Sequence, residues 1–273
     1  MAEIINLGNQ PNLEEEYQKA MDRLIENGTC FQHQEFYSIQ SRVNELSLQR
    51  ELKEKEAKKY LKKLPFFVGL VSMFPFVRGI AISGSLSKGV MYKDGDIDYF
   101  IVTAPERLWI CRTMLVLFKK LFLLNSKKYF CVNYFVDENN LKILDENIFT
   151  AIEITYLLPV FNDELIERLK EENKWAQSYF PQFTHPIQLS INSSKRKKKK
   201  GVELLFNDRL ANKLDVWLMK MTFKRWRKKF SHFNHPKFEL TMRTNRGISK
   251  HHPQDFQNKV LNELNLTLAK FNE

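Results

Sequence analysis

The densest chemistry in this sequence lies in Ala81-Ile-Ser-Gly-Ser-Leu-Ser-Lys-Gly-Val-Met-Tyr-Lys-Asp-Gly-Asp-Ile-Asp-Tyr-Phe-Ile-Val102. Gly84-Ser85 stands near its head, ten residues separate Ser85 from Asp96, and Asp98 follows two further on. Glycine lets the main chain come close to an anion such as a phosphate, and the Ser85 hydroxyl can donate to it. A helix opening after Gly84-Ser85 adds free N–H groups and a positive dipole end. Residues i and i+2 of a strand point to one side, so a strand through Asp96 and Asp98 presents two carboxylates to one point. Two hard oxygen donors with open positions suit Mg²⁺ or Mn²⁺, completed by phosphates and water. Asp-x-Asp or Gly-Ser alone usually marks a solvated loop. The ordered combination of strand, Gly-Ser, helix start and Asp-Ile-Asp is far more specific.

Elements must hold these residues. Residues 76–83 read as a strand, 84–89 as a turn opening a helix, and 97–102 as a second strand. Thr103-Ala-Pro-Glu106 fits a capping box with proline in the first turn and predicts a helix to about residue 124. Residues 129–136 read as a third strand and 141–144 as a fourth, with helices at 148–158 and 162–179. Upstream, Leu13, Tyr17, Ala20, Met21, Leu24 and Ile25 form one helical face, stopped by Asn27-Gly28. Residues 29–39 read as a β-hairpin, and helix plus hairpin suits either a winged-helix remnant or a plain α/β extension. Residues 40–64 predict a long solvated helix and 66–73 a short apolar one before Pro75. Downstream, 181–201 reads as a linker ending in a basic run. A helix over 203–230 then carries Leu210, Leu214, Trp217, Leu218 and Met221 on one face, with Lys213, Lys220, Lys224 and Arg225 mainly elsewhere. A last helix runs from Pro253. The fold class expected is α+β: an N-terminal helix–hairpin extension over 1–75, a mixed sheet flanked by helices over 76–160, and a basic helical region over 161–273 with its linker at 193–201.

An apolar share of 43% with 22 Phe is ample for a buried core and argues against wholesale disorder. The most apolar stretch, 107–124, is interrupted by Arg112, Lys119 and Lys120, too short and charged to span a bilayer. The polar, acidic N-terminus has no apolar leader segment. Cys30, Cys111 and Cys131 lack zinc-like spacing and read as reduced core thiols of a cytoplasmic protein. Of the net charge of +11, the excess lies in residues 195–250, with 18 Lys or Arg against 4 Asp or Glu. Such an excess attracts a polyanion, and residues 195–229 are the expected contact for RNA or an anionic surface. Adjacent His251-His252 do not converge on a metal and read as surface residues, and His232 with His235, three apart, lack a third ligand nearby. Trp217 and Trp226 read as core.

The run from Gly84 to Asp98 resembles the hallmark of the DNA polymerase β-type nucleotidyltransferase superfamily, Gly-Ser followed after a short interval by Asp-hydrophobic-Asp. Gly84-Ser-Leu-Ser-Lys-Gly89 looks like the Gly-Ser-x-x-Arg-Gly variant of minimal and antibiotic-modifying members, with Lys88 a point charge where they have a guanidinium fork. This likeness covers about residues 76–136. A broader likeness, to a bacterial branch of such proteins with a preceding helix–hairpin, rests on Cys131-Val-Asn-Tyr-Phe135 and Phe149-Thr-Ala-Ile-Glu153.

The resemblance implies a polymerase β-like core that binds an NTP, ATP foremost. Gly84, Ser85 and Lys88 would meet its phosphates, and Asp96 and Asp98 would hold the catalytic Mg²⁺ or Mn²⁺. The implied activity transfers a nucleoside monophosphate to a hydroxyl or phosphate acceptor. Members usually carry a third carboxylate on the later core strand, where this sequence offers Asn133, an amide with no charge and no capacity to take a proton. Three explanations stay open. Glu153 or Asp137 fills the role, Asp96 and Asp98 suffice with one metal, or catalysis is lost while nucleotide binding persists in a regulatory module. Glu153 reads equally as a structural carboxylate paired with a basic neighbour. An oligonucleotide second-messenger synthase is a further alternative under the same signature.

Overall fold

The computed structural model describes residues 13–124, 126, 128–187, 189, 199–204, 206 and 209–272. Lys195 to Lys198 of the basic run therefore lie outside the described residues. The chain divides into two compact units, Met1–Lys55 and Glu56–Glu273.

In the first unit α1 (Leu13–Glu26) stops where expected. Gly28 takes a φ of 75°, open to glycine, and its N–H donates to Ile25 O at 3.0 Å. The expected hairpin follows as two antiparallel strands, β1 (Phe31–His33) and β2 (Phe36–Ser38), with Phe31 opposite Ser38.

From Val43 a single helix, α2 (Val43–Ser72), runs through Pro65, where the sequence predicts a break. A proline inside a helix costs about 3 kcal/mol. Leu64, Val68 and Val71 are fully buried beside it, and each such side chain contributes about 1.5–3 kcal/mol, enough to carry the helix across.

The second unit is built on a mixed five-stranded sheet flanked by helices, an α+β architecture. Its strands are β3 (Val77–Ser83), β4 (Asp98–Thr103), β5 (Cys131–Asp137), β6 (Leu158–Phe161) and β7 (Ile248–Lys250), in the order β6-β3-β4-β5-β7. β3 is antiparallel to β4 and β6, β5 is antiparallel to β7, and β4 and β5 are parallel. A parallel pair needs a crossover, supplied by α4 (Leu108–Phe122). Side chains alternate across the sheet. Ile80, Ile82, Tyr99 and Ile101 pack with α2 and α4 on one face. Ala81, Phe100 and Val102 pack on the other with α5 (Ile148–Thr155) and α6 (Asp163–Glu172).

Several expectations are corrected. Residues 141–144 form no strand, because Asn173 takes their backbone groups: its Nδ2 donates to Leu141 O and its Oδ1 accepts from Ile143 N, both at 2.8 Å. Asn173 also ends α6, so the helix expected over 162–179 continues only as a 3-10 segment, Lys174–Tyr179. The helix expected to reach 158 stops at Thr155, and Leu158 opens β6. Pro159 is tolerated there because β6 is an edge strand. The capping box does not form. Thr103 closes β4 and donates its hydroxyl to Val136 O, so α4 begins at Leu108.

The remaining helices are α7 (Lys199–Leu204), α8 (Arg209–Lys229), α9 (His235–Thr241) and α10 (Phe256–Asn272). The region after 160 does not stand apart as a helical block. It supplies β7 to the sheet, and Glu203 of α7 accepts both Arg78 Nη1 and Nη2, at 2.8 and 2.9 Å, beside the Phe76 N–H. Among the described residues no helix is long and apolar enough to cross a membrane.

Candidate functional site

Asp98 is the first residue of β4, and Asp96 lies just ahead of the strand rather than on it. The two carboxylates still converge, because extended pairing continues past the strand end. Ile97 N–H donates to Lys128 O at 3.0 Å, and Cys131 N–H donates to Ile97 O at 3.2 Å. The turn before Asp96 is pinned from α2, where Tyr60 Oη donates to Gly95 O at 3.0 Å. One ligand atom from each of Asp96, Asp98 and Cys131 lies within 4.8 Å of the other two. Burial, then the charge of Asp96, pushes the Asp98 carboxyl up to about 7. Burial and the Asp98 charge push the Cys131 thiol well above its ordinary range.

Gly84 closes directly over this group. Its φ is 69°, and a Cβ there would stand 2.6 Å from Asp98 Oδ2, so only glycine fits. The helix it opens, α3 (Gly84–Ser87), is a single turn, so the expected dipole end is slight. Lys88 and the Gly84 amide already face an anion, the carboxylate of Glu153 on α5. Gly84 N–H reaches Glu153 Oε2 at 3.4 Å, and Lys88 Nζ donates to Glu153 Oε1 at 2.8 Å and to Gly84 O at 3.0 Å. The Ser85 hydroxyl has no partner among the described residues. Glu153 therefore belongs to the glycine corner; its charge helps to raise Asp98, but it is not among the converging ligand atoms of Asp96, Asp98 and Cys131. Its pairing with a basic neighbour is the geometry observed.

Asn133 enters the site through a β-bulge. Tyr99 pairs with Val132 and Phe100 with Tyr134, which leaves Asn133 as the inserted residue. Its Nδ2 donates to Asp98 Oδ1 at 3.3 Å and to Cys131 Sγ at 2.9 Å. Asp137 is excluded by register. It pairs with Thr103 at the far end of β4, and its Oδ1 accepts from Asn139 N at 3.0 Å and Asn140 Nδ2 at 2.7 Å in a turn.

Other candidates fall away from the site or change character. His232 and His235 are exposed. His251 and His252 are not free surface residues: His251 packs on Trp226 and His252 edge-on to Tyr134. Burial holds His252 down at about 4, so it is neutral. Trp226 is core, as expected, but Trp217 is 54% exposed and Leu210 70%. Of the apolar stripe of α8, Leu210, Leu214, Trp217 and Met221 are exposed while Leu218 packs on the core, and Ala211 and Asp215 turn inward. Lys213 and Lys220, one turn either side of Trp217, share with it an open groove of about 460 Å³ that Glu106 and Arg246 also line, paired with each other at 3.1 Å.

Sequence reasoning missed the part of Cys131. Its signal is the parallel register that sets Asp98 opposite Cys131, a pairing that local periodicity cannot reveal. Tyr60 was hidden in the same way, since it acts on a turn 35 residues downstream. Compared with known proteins, the chain matches no family model, no curated protein and no solved structure.

Proposed function

We propose that the second unit is a polymerase β-like nucleotidyltransferase core that moves a nucleoside monophosphate from an NTP, ATP foremost, to a hydroxyl or phosphate acceptor. One observation carries this reading: a left-handed glycine lies against the carboxylate of a converging aspartate pair, with a Cβ excluded at 2.6 Å. Such a corner leaves the main chain open to a phosphate directly beside carboxylates that suit a cation.

The donor set fits a divalent cation. Asp96 and Asp98 are both half-buried side by side, neither forms an ion pair among the described residues, and two adjoining carboxylates drawn partly out of water call for a counter-charge. Asp96 and Asp98 would hold the ion, Mg²⁺ or Mn²⁺ on their oxygens alone. When bound it supplies neutralisation of phosphate charge. The chain supplies the rest. Gly84 admits the phosphate to the backbone, Ser85 offers its free hydroxyl, and Lys88 offers a positive charge once released from Glu153. The acceptor oxygen bonds the α-phosphorus as its bond to the bridging oxygen breaks. Pyrophosphate leaves, and the acceptor proton passes to solvent. The groove around Trp217 favours a polyanionic acceptor such as RNA.

A second reading has its own observations. Glu153 takes the two groups meant for phosphate, and Asn133 stands beside Asp98 with no charge to add. Both features suit a regulatory module that binds nucleotide with little turnover. Incubation with each labelled NTP and Mg²⁺ or Mn²⁺, over a panel of RNA, protein and small hydroxyl acceptors, decides between them. Release of pyrophosphate with a labelled product supports the transferase. Cation-dependent binding without turnover supports the module.

A further inference from the structure

The geometry points to Cys131 as a third ligand of the cation site, making it a carboxylate–thiolate centre for a transition-metal dication of the Zn²⁺ or Co²⁺ kind rather than Mg²⁺. This assignment rests on the cation site proposed above and names its third donor and the class of ion it selects. The sulfur is no remote bystander. Cys131 sits opposite Asp98 in the parallel ladder, and its N–H is bonded to Ile97 O between the two aspartates. Backbone pairing therefore fixes all three donors together, with ligand atoms within 4.8 Å of one another. Asn133 Nδ2 bridges Asp98 Oδ1 and Cys131 Sγ, an outer partner of the kind that orients ligands.

Donor chemistry then decides the ion. Mg²⁺ takes oxygen ligands and gains nothing from sulfur. Thiolates select softer ions, and three protein ligands with an open position are the arrangement of catalytic zinc sites. Binding would replace the thiol S–H bond with a sulfur–metal bond, and the proton would pass to solvent. Cys131 itself is buried, but Asp96 is only half-buried and offers the ion a way in.

The test is a Co²⁺ titration of the full chain, read by the near-ultraviolet thiolate-to-cobalt charge-transfer band, with Mg²⁺ and Mn²⁺ binding followed in parallel by calorimetry with and without ATP. The band is expected to saturate at a single ion per chain. It should be lost in Cys131→Ser, kept in Cys30→Ser and Cys111→Ser, displaced by Zn²⁺, and resistant to a large excess of Mg²⁺. Circular dichroism checks the fold of each variant. If Cys131→Ser does not fold, Asp96→Asn, at a half-exposed position, must weaken the band while leaving the thiol in place. Co²⁺ binding without the band, a band that survives Cys131→Ser, or one undiminished in Asp96→Asn overturns the assignment. Cation-dependent ATP binding that persists without the band would overturn Cys131 alone. Absence of binding by any of the ions, with or without ATP, would remove the cation site as well.

Discussion

Gly84 carries two constraints at once, a left-handed φ of 69° and the Asp98 carboxylate where a Cβ would stand. Gly84→Ala must therefore strain the backbone, displace Asp98, or both. It is expected to lower stability by about 1–3 kcal/mol in a denaturant titration and to abolish nucleotide binding. Unchanged stability would mean that Asp98 has room to move and that the close approach is incidental. Glu153 poses the complementary question. Its carboxylate holds Lys88 and the Gly84 amide as an anion would, so Glu153→Ala, which removes the acceptor with the charge, should free both and tighten ATP binding. Weaker binding in that variant would instead make Glu153 part of the machinery. Gly84, Asp96 and Asp98 are legible in the sequence because turn chemistry and an i, i+2 spacing are local signals. Cys131 and the Glu153–Lys88 pair are not, because they depend on register and on a helix 65 residues away.

Among the elements, α4 shows where local reading fails. The pattern at 103–106 looks like a cap, yet the first turn of α4 is capped from α8: Asp215 Oδ1 accepts Ile110 N at 2.8 Å, 105 residues along the chain. Burial pushes the Asp215 carboxyl up to about 6, and its second oxygen has no partner among the described residues. The folded-state value lies above the unfolded one. Its contribution is thus fully present below pH 3.8 and lost as pH rises through about 6. Asp215→Asn keeps an acceptor for the cap and should flatten that loss, on the order of 2–3 kcal/mol, in stability measured across this window. Asp215→Ala should cost about 0.5–2 kcal/mol at all pH values through loss of the cap. An unaltered pH profile in Asp215→Asn would show that another group titrates there.

The same helix corrects a second inference. An apolar stripe at helical spacing ordinarily marks core, but most of that on α8 is exposed, with Trp217 between Lys213 and Lys220 and only Leu218 packed inward. An aromatic ring between lysines suits a stacked base with its phosphates, at about 1–3 kcal/mol per stacked base. Reversing Lys213 and Lys220 to Glu together should weaken binding of single-stranded RNA and reduce its salt dependence, read by fluorescence anisotropy at two ionic strengths. Binding that is salt-insensitive, or equal in the variant, removes this surface. β6 and β7, of 4 and 3 residues, escaped prediction because neither has a local hairpin partner of the kind that makes the equally short β1 and β2 readable. Their places are set by pairing with β3 and β5.

At the scale of the whole molecule, the α+β class and the helix–hairpin extension were both readable from periodicity and turn residues. The boundary between units was not, since a single helix runs from one into the other and the C-terminal region returns a strand to the sheet. That return matters for the site. His251 N–H, just after β7, donates to Asn133 O at 3.0 Å and so supports the bulge that turns Asn133 towards Asp98. Gly84, Asp96 and Asp98 are together proposed to form a cation-dependent nucleotide site. Calorimetric titration of ATP into the full chain, with and without divalent cation, tests it most directly when run beside Asp96→Asn. Binding should require the cation and be lost in the variant. ATP binding that is equal without the cation, or equal in Asp96→Asn, would contradict it.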